Sequence, residues 1–547
     1  MATSSSYSRP SFVRSVAPEI TTHSPLTRSG AATPTLASSI EDLPGKTSNL
    51  SLTSRRDKYV VIGGGTGANS IIGAFERAKR VSFVLPISDD GGSSSEIQRV
   101  LGGGPSVGDI RSRLVRLIPT SAPGSPLDSI RRLLEYRLSE TATSTEAKLE
   151  WHRIVEGKHS LWLGIPNDRK ECIRSFLIHV NAAITKKASR GFNFQKASVG
   201  NLFLAGASLF LGSLSSAIFL FASITDIPHE KLRVIPVIAT SSTATIAAQL
   251  EDGTIIAGQS EISHPSTTGM PHEALGAMTP FTRSATPFDN SSSTQEPLVP
   301  ASPGFPGGSG AYMPRSVTPA LHEARTLGDE EEEDEIDSDE PNQIHIMNKN
   351  PNVLFSKSTK EIPPLNSEIK RIFYLNAYGN EIFPRANPQF IDSLMGSTCL
   401  VYSCGSLYTS IIPCLALRGV GTAIATAPAL RYRILLLNSH HDRETPNSYT
   451  ALDFVEAIRS TCSEAFDLTT IDQGRDMGFG GTERGTGTRR LDAREVVSHV
   501  VYLQDGQIPV DVDMLETMGI HCVAVNSQSG MFDEYCVAQA LSEVYRS

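Results

Sequence analysis

Apolar residues in this chain fall into short unbroken runs and longer periodic stretches, separated by glycine, proline and charge. The first run, Lys58–Ile62, ends in four apolar residues and stops at glycine, which predicts a fully buried strand. Apolar spacing over 68–79 predicts a helix, and 81–88 predicts a second strand that ends at Asp89-Asp90-Gly91-Gly92. Helical spacing recurs over 109–118, 127–138 and 168–185. Strands are expected at 234–239, 245–250 and 254–259, and Gln259 and Glu261 are read as sitting in a strand. Further on, strands at 371–376, 399–403, 434–438, 497–503 and 521–525 alternate with helices at 387–394, 405–417, 450–462 and 534–545. Such alternation predicts an α/β fold with a mostly parallel sheet and helices on both faces. No internal repeat is visible.

One stretch could cross a membrane. Residues 197–225 carry no charge, and 202–222 is long enough to span a bilayer. Against that, Gly206, Gly212, Ser208, Ser213, Ser215 and Ser216 interrupt it, and no basic cluster flanks it. The break at Gly212-Ser213 favours two buried helices.

Three segments lack any apolar pattern. Residues 1–56 are rich in Ser, Thr and Pro with scattered Arg. They are expected to form a disordered tail, since Pro10, Pro18, Pro25 and Pro34 interrupt the amphipathic helix of a transit peptide. Residues 263–350 read as a disordered acidic insertion, because too few aliphatics are present to offset the entropy of ordering. A polar Gly/Arg-rich loop is expected at 473–490. The folded body is then one α/β domain made of 57–262 and 351–547. Thr279-Pro280, Thr286-Pro287, Ser302-Pro303 and Thr318-Pro319 are proline-directed pairs that a regulatory kinase could use.

Charge and cysteine narrow the function classes. The net charge is -9, but 329–340 alone holds ten acidic residues and no basic one, so the rest of the chain is close to neutral. This is not a nucleic-acid binder's profile. Seven scattered cysteines, an odd number, argue against a disulfide framework or a zinc module and for a reducing, cytoplasmic setting.

The candidate chemistry follows strands. Gly63, Gly64, Gly65, Thr66 and Gly67 close the first strand, where backbone N–H groups can meet a phosphate. No Gly-Lys-Ser/Thr follows, which excludes a P-loop NTPase. Gly63-x-Gly65-x-x-Ala68 does satisfy the permissive dinucleotide fingerprint, which leaves a dinucleotide-dependent oxidoreductase open. Asp89 and Asp90 follow the second strand and could bind a ribose, hold a magnesium ion, or act as a general base. Gly91, Gly92, Ser93 and Ser94 could cradle a second anionic group. Asp109 sits at a helix start, and Arg111 could clamp a phosphate. Asn201 precedes the apolar helix pair and could contact a base or sugar, or simply cap a helix. Gly405, Ser406, Tyr408, Thr409 and Ser410 repeat the strand–glycine–helix sign and make another anion site. His440, His441, Asp442, Arg443 and Glu444 match no familiar metal spacing and read as a solvated rim loop.

Together these motifs resemble the CofD-like family, which includes 2-phospho-L-lactate transferases and the bacterial YvcK gluconeogenesis factors. The resemblance is carried by GGGTG at 63–67, DDGGSS at 89–94, GDIR at 108–111, GN at 200–201, LEDGT at 250–254 and GSLYTSIIP at 405–413. Arg443-Glu444-Thr445 resembles the family's later GET-type turn, and the match runs from about 58 to 459. The resemblance implies a Rossmann-like domain and one of two activities. One is magnesium-dependent transfer of a phospholactyl group. The other is UDP-sugar binding that influences carbon metabolism. GGGTG, DDGGSS and GSLYTS are closer to the second branch. Ser403-Cys404 stands where the family usually has Gly-Pro, and Gln259 and Glu261 depart from its usual Glu then Asn.

The leading expectation is a cytoplasmic protein that binds a nucleotide-sugar or related phosphate ligand, acts without nucleic acid or membrane, and forms a homodimer. A magnesium-dependent transferase is the enzymatic alternative. A regulatory scaffold whose insertion binds partners is a further one.

Overall fold

The computed structural model describes residues 57–64, 67–88, 91–264, 364–376, 378–475 and 490–546. The expected tail and nearly all of the insertion and polar loop lie outside these residues. So do Gly65, Thr66, Asp89 and Asp90.

Seven strands build the main sheet: β1 (Lys58–Ile62), β2 (Arg80–Leu85), β3 (Leu232–Pro236), β8 (Cys399–Tyr402), β9 (Tyr432–Leu436), β10 (His499–Leu503) and β11 (His521–Val525). Their spatial order is β11-β10-β9-β8-β1-β2-β3, and every pairing is parallel. Strands buried on both faces must be apolar throughout, as Val60, Val61 and Ile62 are. A second sheet is antiparallel, in the order β5-β4-β6-β7, from β4 (Thr245–Leu250), β5 (Ile255–Ala257), β6 (Ile369–Leu375) and β7 (Glu381–Ile382). The sequence pattern did not separate this sheet from the parallel one. Gln259 and Glu261 lie in the short helix Gln259–Ser263, not in a strand.

Seven helices connect β2 to β3: α1 (Gly92–Leu101), α2 (Gly108–Leu117), α3 (Pro126–Glu135), α4 (Ser144–Val155), α5 (Asn167–Thr185), α6 (Val199–Leu211) and α7 (Leu214–Ile224). The uncharged stretch is the pair α6–α7, broken where Gly212 turns left-handed (φ 65°). Among the described residues, no helix is long and apolar enough to cross a membrane.

The helix expected over 68–79 is absent. Two 3-10 turns, Gly67–Asn69 and Ile72–Phe75, link β1 to β2 instead. A long-range contact accompanies these turns. The C-terminal helix Glu534–Val544 packs so closely that a Cβ on Gly73 would fall 1.8 Å from Glu534 Oε2. Ser70 Oγ donates to the Phe532 carbonyl at 3.0 Å, and Tyr545 Oη donates to Tyr59 Oη at 2.8 Å. Phe75 buries its ring between Tyr59 and Phe83.

Candidate functional site

The sheet reverses direction of growth between β1 and β8. In an open parallel sheet, ligands bind beyond the carboxyl ends of the strands at that switch point. The loop after β1 begins Gly63-Gly64, the loop after β8 is Ser403-Cys404-Gly405, and β1 and β8 are hydrogen-bonded neighbours. The fold therefore sets side by side two motifs that lie some 340 residues apart along the chain.

The first loop is held tightly. A Cβ on Gly63 would come within 2.9 Å of Ser403 Cβ, and one on Gly64 within 2.9 Å of Asp109 Oδ2 and 3.0 Å of Pro86 Cγ. Contacts under 3 Å leave no room for a side chain, so only glycine fits at these points. Asp109 thus stands directly against the glycine loop. Arg113, one turn further along α2, lies beneath it: the guanidinium is buried, donates from Nη1 to the Ala68 carbonyl at 2.9 Å, and lies 4.8 Å from the Phe83 ring centroid. Burial pushes the Arg113 guanidinium down to about 10. Sequence reasoning passed over this residue. Its spacing from Asp109, a full helical turn, was the available signal.

α1 begins two residues past Asp90. Its N-cap, Gly91, supplies no side-chain cap, and its first turn holds no acidic residue. Ser93 Oγ accepts from Asn201 Nδ2 at 2.9 Å and from the Ser198 N–H at 3.4 Å. Ser94 is buried, and its hydroxyl makes no hydrogen bond among the described residues. Asn201 Oδ1 in turn accepts from Arg111 Nε at 3.3 Å. The starts of α1, α2 and α6 therefore converge, and they join Ser93, Arg111 and Asn201 in one hydrogen-bonded chain. Ser88, three residues past β2, donates to Gln259 Oε1 at 3.4 Å, which ties the short helix Gln259–Ser263 to the same side.

The loop after β8 differs from the sequence expectation. Gly405 leads into a π-helical turn, Leu407–Ile411, rather than a regular helix. Its first N–H groups already have an acceptor within the protein. Glu444 Oε2 accepts from the N–H groups of Tyr408 and Thr409, both at 3.0 Å, and Thr409 Oγ1 donates to Glu444 Oε1 at 2.5 Å. The Tyr408 hydroxyl pairs with that of Tyr449 at 3.0 Å. Burial, reinforced by the Asp442 charge, pushes the Glu444 carboxyl up to about 8, against the pull of its three donors. The segment 438–447 is therefore no solvated rim at Glu444. Asp442 Oδ1 accepts from the Glu444 and Thr445 N–H groups and shapes the turn. Arg443 donates to the Glu261 and Ile262 carbonyls, at the end of the Gln259–Ser263 helix. Asn438 bridges Gly405 in both directions, through Oδ1 at 3.1 Å and Nδ2 at 2.8 Å.

Among the described residues, no group of three His, Cys, Asp or Glu side chains is placed to hold a metal ion. That does not test Asp89 and Asp90, which lie outside those residues.

A dinucleotide-dependent oxidoreductase is not favoured. Its fingerprint works by placing a pyrophosphate on the N-terminus of the helix after β1, and two 3-10 turns occupy that place here.

Comparison with known proteins agrees with this. A family model described as 2-phospho-L-lactate transferase CofD matches residues 59–527. An uncharacterized protein of Saccharomyces cerevisiae is 35% identical over 482 residues, covering 87% of this chain and 96% of its own. A Thermotoga maritima protein named as a gluconeogenesis factor is 24% identical over 207 residues, 38% of this chain and 46% of its own. The crystal structure of a Bacillus halodurans protein of the UPF0052 family is 15% identical, with a TM-score of 0.48 over 89% of this chain and 99% of that one. With its family match running through almost the whole sheet, this chain belongs to the CofD-like family.

Proposed function

We propose that this protein binds a nucleotide-sugar or related phosphate ligand in the crevice between the loops after β1 and β8, and acts in the control of carbon metabolism. The observation that carries the reading is the start of α1. It lacks a side-chain cap and a first-turn acid, and it stands beside Ser93, Asn201 and Arg111. A helix N-terminus whose first turn holds no acid favours a phosphate. In this reading Gly63 to Gly67 meet one phosphate, Arg111 neutralises charge, and Asn201 and Ser93 orient the ligand. Asp89 and Asp90 face the ribose. Calorimetry of the full chain with UDP-sugars tests it. Saturable binding is expected, and no binding by a folded sample would overturn the proposal.

A second reading, transfer of a phosphate-linked group, is favoured by the family description, and we propose that it would use magnesium and a nucleotide-activated donor. Magnesium characteristically uses one or two carboxylates together with substrate phosphates and water, and Asp89 and Asp90 are the residues proposed to supply them. The ion would neutralise the departing nucleotide phosphate. If Asp89→Asn and Asp90→Asn both left turnover untouched, this reading would be wrong.

A further inference from the structure

Three contacts join α2 to the loop after β1. Asp109 stands against Gly64, Ser112 Oγ accepts from Asn69 Nδ2 at 3.2 Å, and Arg113 Nη1 donates to the Ala68 carbonyl at 2.9 Å. The third is unusual. A neutral donor would satisfy one carbonyl, yet a guanidinium serves here, in a residue only 2% exposed. Its Nε makes no hydrogen bond, and no carboxylate pairs with it among the described residues. The Phe83 ring, 4.8 Å away, offers only its π face. Burial pushes the group down to about 10, while Asp109 and Cys404 pull the other way, so it keeps its charge at neutral pH. A buried charge without a partner is costly.

A second observation shows what that charge can do. In the usual phosphate-binding form of this unit, the loop after β1 runs into a helix whose N-terminus brings about half an elementary charge to the phosphate. Here the loop is followed by 3-10 turns of three and four residues, Gly67–Asn69 and Ile72–Phe75, too short to sum such a dipole. Asp109 meanwhile sets a carboxylate beside Gly64, which opposes an anion. Arg113 lies one helical turn from Asp109, on the core side of the loop, against the residue that follows Gly67. A full positive charge at that point offsets the carboxylate and stands in for the missing dipole. Being buried, it is little screened by water or salt.

We propose that Arg113 is a positioning residue that makes Gly63, Gly64 and Gly67 an anion site. Its guanidinium holds the turn at Ala68 and supplies, from the core side, the positive potential that a helix N-terminus supplies elsewhere. It does not touch the ligand. The inference rests on the proposed phosphate at this loop, and Arg113 is the new residue in it.

The test is calorimetry of inorganic pyrophosphate, without magnesium, on the full chain as wild type, Arg113→Gln and Arg113→Lys. Arg113→Gln is expected to weaken binding about tenfold or more, equivalent to about 1.4 kcal/mol. Arg113→Lys keeps the charge and is expected to stay within about threefold of the wild type. Equal losses in the two variants would show that the shape of the side chain matters and not its charge, and would overturn the proposal. So would unchanged affinity in Arg113→Gln, or a wild-type chain that ignores millimolar pyrophosphate. Should the two variants not fold, Asp109→Asn decides the matter. With the opposing carboxylate gone, pyrophosphate is expected to bind about threefold tighter or more, and unchanged or weaker binding would overturn the proposal. A parallel titration with UDP-glucose separates the two ideas. Pyrophosphate binding that depends on Arg113, without UDP-glucose binding, removes the proposed ligand but keeps the role of Arg113. UDP-glucose binding that Arg113→Gln leaves unchanged does the reverse.

Discussion

Two helix starts face the crevice, and they are announced by similar residues. After β2 the chain reads Gly91-Gly92-Ser93-Ser94, and after β8 it reads Gly405-Ser406-Leu407-Tyr408-Thr409. Glycine followed by hydroxyl residues suggested an anion site at both. The structure separates them. At Leu407–Ile411 the protein's own Glu444 carboxyl takes the N–H groups, whereas α1 has neither a side-chain cap nor an acid in its first turn. The difference teaches that glycine and serine make a helix start approachable, but a distant carboxyl decides whether a ligand can use it.

The largest expected effect comes from breaking the occupied start. Glu444→Ala leaves two buried N–H groups and the Thr409 hydroxyl without their acceptor, and should cost about 3 kcal/mol in urea unfolding, from about 1–3 kcal/mol per stranded group. Glu444→Gln keeps the acceptor and should cost about 1 kcal/mol or less. Equal losses in the two variants would show that volume, not hydrogen bonding, holds the turn.

The same carboxyl makes a pH prediction. Its value in the folded protein is raised from 4.5 to about 8, so the native state holds the proton more tightly than the unfolded one. Its contribution to stability is full below about 4.5 and is lost as pH rises through about 8. Unfolding free energy measured between pH 5 and 8 should decline in the wild type relative to Glu444→Gln. Parallel profiles would remove Glu444 as the cause.

Conversion of one region into the other is the sharper test. Gly91 has an extended backbone (φ -93°, ψ 158°) that an aspartate N-cap can adopt. Gly91→Asp should add about 0.5–1 kcal/mol of stability through the cap and the helix dipole. It should also weaken UDP-sugar binding about tenfold, by placing a carboxylate where the phosphate belongs. A stabilised protein with unchanged affinity would place the ligand elsewhere.

The smallest effect is expected at Ser93→Ala, which removes one acceptor of the Asn201 amide and should cost about 1 kcal/mol. Its fingerprint is a loss in binding of similar size, because Asn201 also holds Arg111. A stability loss with no loss in binding would detach this chain from the ligand.

Much of the fold was legible along the chain. β1, β4 and β11 lie where the apolar runs put them, at Lys58–Ile62, Thr245–Leu250 and His521–Val525, because a short apolar run between glycines or charges has few other ways to be buried. The break in the uncharged stretch was legible for a similar local reason, a glycine at a helix end. Where a local pattern competes with a distant partner, the reading fails. Residues 68–79 carry helical spacing, yet two 3-10 turns form there, packed against Glu534 of the C-terminal helix. No helix is expected from the sequence where α1 lies, since its first four residues, Gly-Ser-Ser-Ser, have no helical pattern of their own.

The candidate site divides in the same way. Its glycines, its hydroxyl residues, Arg111 and Asn201 were visible as motifs, because close backbone approach and anion recognition need those residue types. Their grouping was not. The adjacency of β1 and β8 and the use of Glu444 as an internal acceptor both join residues apart in sequence. Local propensity and apolar periodicity act over a few residues and determined the strands, the helix pair and the family signature. Sheet order and buried hydrogen bonding act across the whole chain, and only the tertiary structure decided which helix start the protein fills itself.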